Sequence, residues 1–187
     1  MGSVAAVVLV IFCVTFFLRR EKDVWQPIPL SVNVHESALI SLIVDNGKDS
    51  IPLSVNQDVY FEKNGVRTEN NTLIYDSVSL QMLEVEYHTL VVGRGGEYRL
   101  TLSDGSVVWL NAGSSLRYPV RFTGNRRVVE LHGEAFFQVS PNEKMPFDVK
   151  SGNFSVRVLG TSFNITNYTD EQYARVTLAT GKLQVNK

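Results

Sequence analysis

The chain has one cysteine, Cys13, which excludes an intramolecular disulfide. It has no charge surplus: 18 Lys and Arg stand against 19 Asp and Glu, a formal net charge of -1. A nucleic-acid-binding domain needs a basic face, and this balance gives no sign of one. Metal-ligand spacing is also missing. The three histidines, His35, His88 and His132, stand far apart, with no His-x-His or His-x-x-x-His pattern. The nearest His–carboxylate pair, His132 with Glu134, would share one face at strand spacing, but zinc sites take three or four protein ligands. No Gly-x-Ser-x-Gly elbow is present, and Cys13 sits in the most apolar part of the chain, where a reactive thiolate is not expected. No catalytic, metal or cofactor-binding residue is therefore expected. Beyond residue 18 no window sustains a period near 3.6, which argues against helices.

The exception to the shortage of long apolar runs is the start, "MGSVAAVVLVIFCVTFFL". Arg19, Arg20, Glu21 and Lys22 end it abruptly. A membrane-spanning helix needs about 20 apolar residues, with roughly 17 as the lower limit. There is no positive n-region or small-residue cleavage site, and bulky Ile11 and Phe12 precede Cys13. Residues 1–18 read as an uncleaved transmembrane anchor; a buried element of the domain or a poorly cleaved signal are the alternatives. The positive-inside rule, applied to Arg19, Arg20 and Lys22, would hold the C-terminal side in the cytoplasm, but that rule compares two flanks and the N-terminal one is almost absent. Residues 19–38 read as a juxtamembrane linker with a first strand, extended at Pro27 and Pro29.

Residues 39–187 turn to short runs of strand formers closed by Gly, Pro, Asn or Asp. That pattern means an all-β domain of many short, mostly antiparallel strands, in a twisted sandwich or a solenoid-like stack. "ALISLIV", "DNGKD" and "SIPLSV" form one expected hairpin, and "YRLTL", "SDG" and "SVVWL" form a second of the same shape. Asn64-Gly65 marks another turn. In "RLTLSDGSVVWLNAGSSLRYPV" the spacing places a turn at Ser103-Asp104-Gly105, with Leu100 and Leu102 facing Val108 and Leu110. A second turn is expected over Asn111 to Ser115, and Pro119 marks a strand end. In "VVELHGEAFFQV" one face takes Val129 and Leu131, then Phe137 and Val139 after a shift at Gly133, which suggests a bulge or bend.

The polar residues read more readily as architecture than as chemistry. Ser103, Ser106, Ser114 and Ser115 fit turns and strand ends. Gly93, Gly95 and Gly96 precede a strand rather than a helix, so a phosphate loop is not expected. Arg117, Arg121, Arg126 and Arg127 read as a solvated edge guarded by charge. Trp109, Phe136, Phe137, Phe147, Phe154 and Phe163 read as core, with a carbohydrate-binding face through exposed aromatics as the alternative. The last run, "ARVTLATGKLQV", reads either as an edge open to a partner strand or, preferably, as a strand whose partner lies in a further C-terminal region.

The series "RGGEYRLTLSDGSVVWLNAGSSLRYPVRF", "RRVVELHGEAFFQV", "PFDVKSG" and "VRVLGTSFNITNY" resembles the periplasmic domain of FecR-type anti-sigma factors of Bacteroidetes. The resemblance runs from about Leu39 to Val185, and its core motifs span residues 94–164. It makes structural positions of Gly95, Gly96, Asp104, Gly105, Trp109, Leu110, Asn111, Pro119, Phe122, Gly133, Glu134, Phe137, Pro146, Phe147, Gly160, Thr161, Phe163 and Asn164. It implies a single-pass inner-membrane regulator with its β domain in the periplasm. That domain would contact the signalling domain of an outer-membrane TonB-dependent transporter and relay its state to an extracytoplasmic-function sigma factor. The cytoplasmic sigma-binding domain and the C-terminal domain of the pattern have no counterpart in these 187 residues, so sigma binding is expected only through a cytoplasmic region outside them.

Overall fold

A computed structural model describes residues 40–44, 47–53, 60–61, 66–69, 72–75 and 85–187. The anchor, the linker and His35 lie outside the described residues. Fifteen strands follow one another: β1 (Ile40–Val44), β2 (Asp49–Leu53), β3 (Tyr60–Phe61), β4 (Val66–Glu69), β5 (Thr72–Tyr75), β6 (Tyr87–Val92), β7 (Tyr98–Thr101), β8 (Val107–Leu110), β9 (Ser114–Pro119), β10 (Arg127–Gln138), β11 (Phe147–Ser151), β12 (Phe154–Val158), β13 (Ser162–Asn167), β14 (Arg175–Thr180) and β15 (Leu183–Asn186). No α-helix occurs among the described residues.

All fifteen strands belong to one hydrogen-bonded network that curls into two layers. One layer runs β2-β1-β6-β9-β10-β11-β12-β15 and the other β14-β13-β10-β8-β7-β5-β4-β3. Pairing is antiparallel except for β10 with β11 and β5 with β7. The two layers share β10. Its first half, up to His132, pairs β9 and β11, and its second half, from Gly133, pairs β8 and β13.

Gly133 is where β10 changes layer. Its φ is +86°, and a Cβ there would stand 2.5 Å from Ser114 Oγ and 2.9 Å from Ser114 Cα. Only glycine meets both conditions without strain. The expected bend is therefore present, but the expected shift of face is not. Arg127, Val129, Leu131, Gly133, Ala135 and Phe137 are all buried, in unbroken alternation. The bend turns the strand without changing which side chains face inward.

The apolar faces of the two layers meet in one core. Leu42, Leu90, Leu116 and Val129 come from one layer, and Leu73, Leu100, Val108 and Ile165 from the other. Phe137 stacks on Phe163 at 5.2 Å between ring centroids and meets Phe147 edge-on at 6.4 Å, so aromatic contact bridges the layers. Burying each of these rings contributes about 1.5–3 kcal/mol. Phe122 packs on Phe147 from the side. Phe154 is half-buried against the core, whereas Trp109 and Phe136, expected in the core, are half-buried on the opposite face of their strands, because alternation gives the inward side to Val108, Leu110, Ala135 and Phe137.

The hairpins follow the turn signals. β1 pairs β2 from Ile40↔Leu53 to Val44↔Asp49, and β3 pairs β4 around residues 62–65, which lie outside the described set. Between β7 and β8 the Gly105 N–H bonds to the Leu102 carbonyl at 2.9 Å, and Gly105 has φ +80°. The facing pairs are Leu100↔Val108 and Tyr98↔Leu110. Of the four residues expected to face one another, Leu102 drops out of the ladder because it already belongs to the turn, where its N–H bonds to the Ser106 carbonyl. The second turn is shorter than expected, because Ser114 and Ser115 already pair with Val92 and Val91 in β9.

Candidate functional site

The motif residues converge on two polar clusters around β10, and a third cluster, containing none of them, joins β5, β6 and β9. The first clamps the β7–β8 turn. Asp104 accepts hydrogen bonds from the Ser106 N–H (3.0 Å), Ser106 Oγ (2.7 Å) and Arg127 Nη1 (2.6 Å). Arg127 also donates to the carbonyls of Met145 (2.7 Å) and Ser140 (2.8 Å), and its guanidinium lies 5.3 Å from the Phe147 ring centroid. Ser106 Oγ accepts from the Ser140 N–H, and the Pro146 carbonyl accepts from the Arg127 N–H.

Arg127 overturns the reading of the arginines as a solvated edge: its side chain is 1% exposed. Alternation places it on the same side as Val129 and Leu131, so the residue that begins β10 points inward. A buried guanidinium is costly unless paired and hydrogen-bonded, and Asp104 with two carbonyls meets that need. Arg117 and Arg126 fit the surface reading better, being about a third and half exposed beside Glu130 and Asp148.

The second cluster sits where β10 changes layer. Glu134 accepts from Asn164 Nδ2 at 3.0 Å and Asn111 Nδ2 at 3.3 Å, while its N–H donates to Ser114 Oγ at 2.8 Å. Asn111, just past the end of β8, and Asn164, within β13, thus share the carboxylate that Glu134 presents from within β10. His132 is exposed and does not join it. Both Glu134 oxygens accept amide protons, an arrangement that holds chain segments together. Among the described residues no group of three or more His, Cys, Asp or Glu could hold a metal ion.

The third cluster was missed in the sequence. Tyr75 Oη lies 2.7 Å from His88 Nδ1 and 2.7 Å from Tyr118 Oη, and His88 Nε2 lies 2.9 Å from Glu86 Oε1. With Glu86 a carboxylate, His88 Nε2–H donates to it. A neutral ring then accepts at Nδ1 from Tyr75, and Tyr75 accepts from Tyr118. Burial pushes the Tyr75 phenol well above the usual tyrosine range, helped by the neighbouring Tyr118, and burial likewise raises Tyr118. The signal was there: His88 shares the parity of Leu90, and Tyr118 that of Leu116. What brings the two together is the β6–β9 register, His88↔Tyr118.

The other motif positions build turns and contacts. The Gly96 N–H and the Gly113 N–H both bond to the Gly93 carbonyl at 3.3 Å, with Gly95 in the turn. Gly160 packs against Pro141. Thr161 Oγ1 donates to the Lys182 carbonyl at 2.7 Å, and Pro119 ends β9. Trp109 and Phe136 lie 5.6 Å apart but are tilted by 53°, and the Arg99 guanidinium sits 5.4 Å from the Trp109 ring centroid.

The family profile described as FecR protein matches residues 88–184. The chain belongs to the FecR family. Two crystal structures, each of a protein assigned as an anti-sigma factor from Parabacteroides distasonis ATCC 8503, are similar to it. One is 43% identical, with a TM-score of 0.53 over 54% of this chain and 47% of that one. The other is 44% identical, with a TM-score of 0.52 over 52% of this chain and 46% of that one. This FecR-family chain therefore spans about half the length of the solved proteins it matches. Among curated proteins none matches it.

Proposed function

We propose that this FecR-family chain is the relay domain of an anti-sigma factor, anchored in the inner membrane by residues 1–18 with its β domain in the periplasm. It works by protein–protein contact, taking the state of an outer-membrane TonB-dependent transporter from that transporter's periplasmic signalling domain. It passes that state toward an extracytoplasmic-function sigma factor held by a cytoplasmic region outside these residues. The observation that carries the reading is the family match over residues 88–184, joined to the likeness to solved proteins assigned as anti-sigma factors. The geometry is consistent with a regulatory rather than an enzymatic role. Asp104, Glu134 and His88, the groups best suited to proton transfer, are each engaged in hydrogen bonds that hold strands and turns in place.

Co-purification of the full chain from membranes with a panel of isolated transporter signalling domains tests the reading. Specific retention of at least one is expected. Retention of none, by a chain whose thermal unfolding is cooperative, would sink it.

A further inference from the structure

His88 is sealed inside the fold, its side chain 1% exposed and both ring nitrogens in hydrogen bonds. A titratable group faces it from each neighbouring segment. Glu86 comes from just before β6, Tyr75 from β5 and Tyr118 from β9, and Tyr98 of β7 acts on Tyr118 from beyond. Arg117, next to Tyr118 in β9, points to the other face, where it lies 4.1 Å from the Tyr87 ring centroid.

Tyr75 makes this cluster a joint between the two layers. It ends β5 in one layer, while His88 and Tyr118 are cross-strand neighbours on β6 and β9 in the other. The two sides of the joint are held unequally. Six residue pairs align β6 with β9, from Tyr87↔Pro119 to Val92↔Ser114. Two pairs join β5 to β7, Thr72↔Arg99 and Leu73↔Leu100, and β4 and β3 follow behind β5 in that layer. Tyr75 stands beyond the end of that short ladder. Its hydroxyl thus fixes a strand end that the β7 ladder does not reach.

The hydrogen-bond chain has a direction, and a proton reverses it. With the ring neutral, Tyr118 donates to Tyr75, Tyr75 donates to His88 Nδ1, and His88 Nε2–H donates to Glu86. A proton taken from solvent at Nδ1 turns that acceptor into a donor. Tyr75 must then accept from the ring and give its own hydrogen to Tyr118. The Tyr118 hydrogen loses the oxygen that accepted it. A buried donor deprived of its acceptor destabilises the fold, and so does a cation in a sealed site. Glu86 offsets part of the charge but none of the lost hydrogen bond. The strain falls on the member with the least other support, Tyr75.

We propose that Tyr75, His88 and Tyr118 form an acid-sensitive latch between the two layers: proton uptake by His88 weakens the hold of β6 and β9 on β5 and lets the β3–β5 side open locally. The latch stands on hydrogen-bond geometry and does not depend on the relay reading. Its sign follows from a ring kept neutral by the fold. The hold is fully present above about pH 6.5, the ordinary histidine value, and is lost as pH falls below it.

Amide hydrogen exchange of the full chain in detergent micelles tests the latch, with rates corrected for the intrinsic effect of pH. Between pH 7.5 and 5.5, protection in β4 and β5 is expected to fall at least fivefold more than protection in β10 and β13. His88→Gln keeps a donor and an acceptor but does not titrate, so a folded variant should show less than a twofold difference. Tyr75→Phe leaves His88 in place and removes the latch hydroxyl. That variant should exchange faster than the parent in β4 and β5 at pH 7.5 and show little further change at pH 5.5, which keeps the test decisive if His88→Gln does not fold. Protection in β4 and β5 that is unchanged or rises in acid would overturn the proposal. So would an equal loss in all strands, or a full acid response in either folded variant.

Discussion

Two ion pairs in this molecule share one length and differ in setting. Arg127 Nη1 meets Asp104 at 2.6 Å, and Arg157 Nε meets Asp148 at 2.6 Å. The first guanidinium is 1% exposed and the second 35%. Their surroundings differ as well. Asp104 comes from the β7–β8 turn and Arg127 from the start of β10, so their contact fixes one element against another. Asp148 and Arg157 are direct cross-strand neighbours on β11 and β12, already aligned by the ladder. Separation alone therefore does not set the worth of a charge pair; burial, and what else would hold the two residues together, do.

The largest effect should come from breaking the buried pair. Asp104→Ala leaves a guanidinium in the core beside the Phe147 ring with only carbonyls to accept from it, and one of its donors, Nη2, already has no hydrogen-bond partner among the described residues. Removing one member of such a pair costs about 3–5 kcal/mol. Chemical denaturation should show that loss as a lower midpoint with an unchanged slope. A loss under about 1 kcal/mol would mean that water reaches Arg127 easily.

The turn that presents Asp104 comes next. Gly105→Val puts a β-branched residue at φ +80°, with its Cβ 3.3 Å from Ser140 Oγ. A backbone held in that region by a non-glycine residue costs about 1–3 kcal/mol, and displacement of the turn would loosen the Asp104–Arg127 contact too. Unchanged thermal unfolding would show that the turn can re-form with another geometry. Double substitution with Asp104→Ala sharpens the point. Because both act on one contact, their costs should sum to less than the two singles.

A neutral buried cluster gives an intermediate case. Tyr75→Phe removes the central hydroxyl between His88 and Tyr118, worth about 0.5–1.5 kcal/mol for a hydrogen bond, with some added cost from the partners left unpaired. The pH dependence has a definite sign. Both phenols titrate above the ordinary tyrosine value when folded, so the folded state keeps protons that the unfolded state releases. Their contribution is fully present below about pH 10, the unfolded value, and is lost as pH rises beyond it. Stability should therefore fall more steeply above pH 10 in the parent chain than in a Tyr75→Phe, Tyr118→Phe double variant. Parallel profiles would show that the cluster opens to solvent.

Much of this contrast was legible in the sequence, and the illegible part has one cause. Turn chemistry located the β7–β8 hairpin and the bend at Gly133. Period-two alternation was enough to show that Arg127 lies on the side of Val129 and Leu131, although a run of four arginines drew the eye to a surface reading instead. What local spacing does not encode is which distant strands become neighbours. β10 has β8, β9, β11 and β13 as partners, and these partnerships bring Asn111, Glu134 and Asn164 to one point and set the Asp104 turn beside Arg127. Likewise nothing near His88 announces Tyr75 or Tyr118. The family motifs marked Asp104, Glu134 and Asn164 as structural positions without saying what each one touches.

The smallest effect belongs to the outer pair. In Asp148→Asn the guanidinium of Arg157 loses its two charge-assisted bonds, at 2.6 and 2.9 Å. Those bonds, with the carboxylate's charge, hold Arg157 protonated even more firmly than usual. That upward shift adds stability at all pH values below the ordinary arginine range and is lost only above it, so it produces no pH signal near neutrality. It also overstates the pair's worth, because a group this exposed recovers water when the carboxylate goes. Partly exposed pairs contribute about 0–1 kcal/mol, and the ladder Asp148↔Arg157 keeps the strands aligned without the charge. Added salt separates the two pairs most cleanly. With a screening length of about 8 Å at physiological ionic strength and about 3 Å at 1 M, the gap between parent and Asp148→Asn should shrink in 1 M NaCl, while the gap to Asp104→Ala should persist. A salt-insensitive loss at Asp148 as large as that at Asp104 would mean that this pair too is sealed from water, and that burial does not distinguish them.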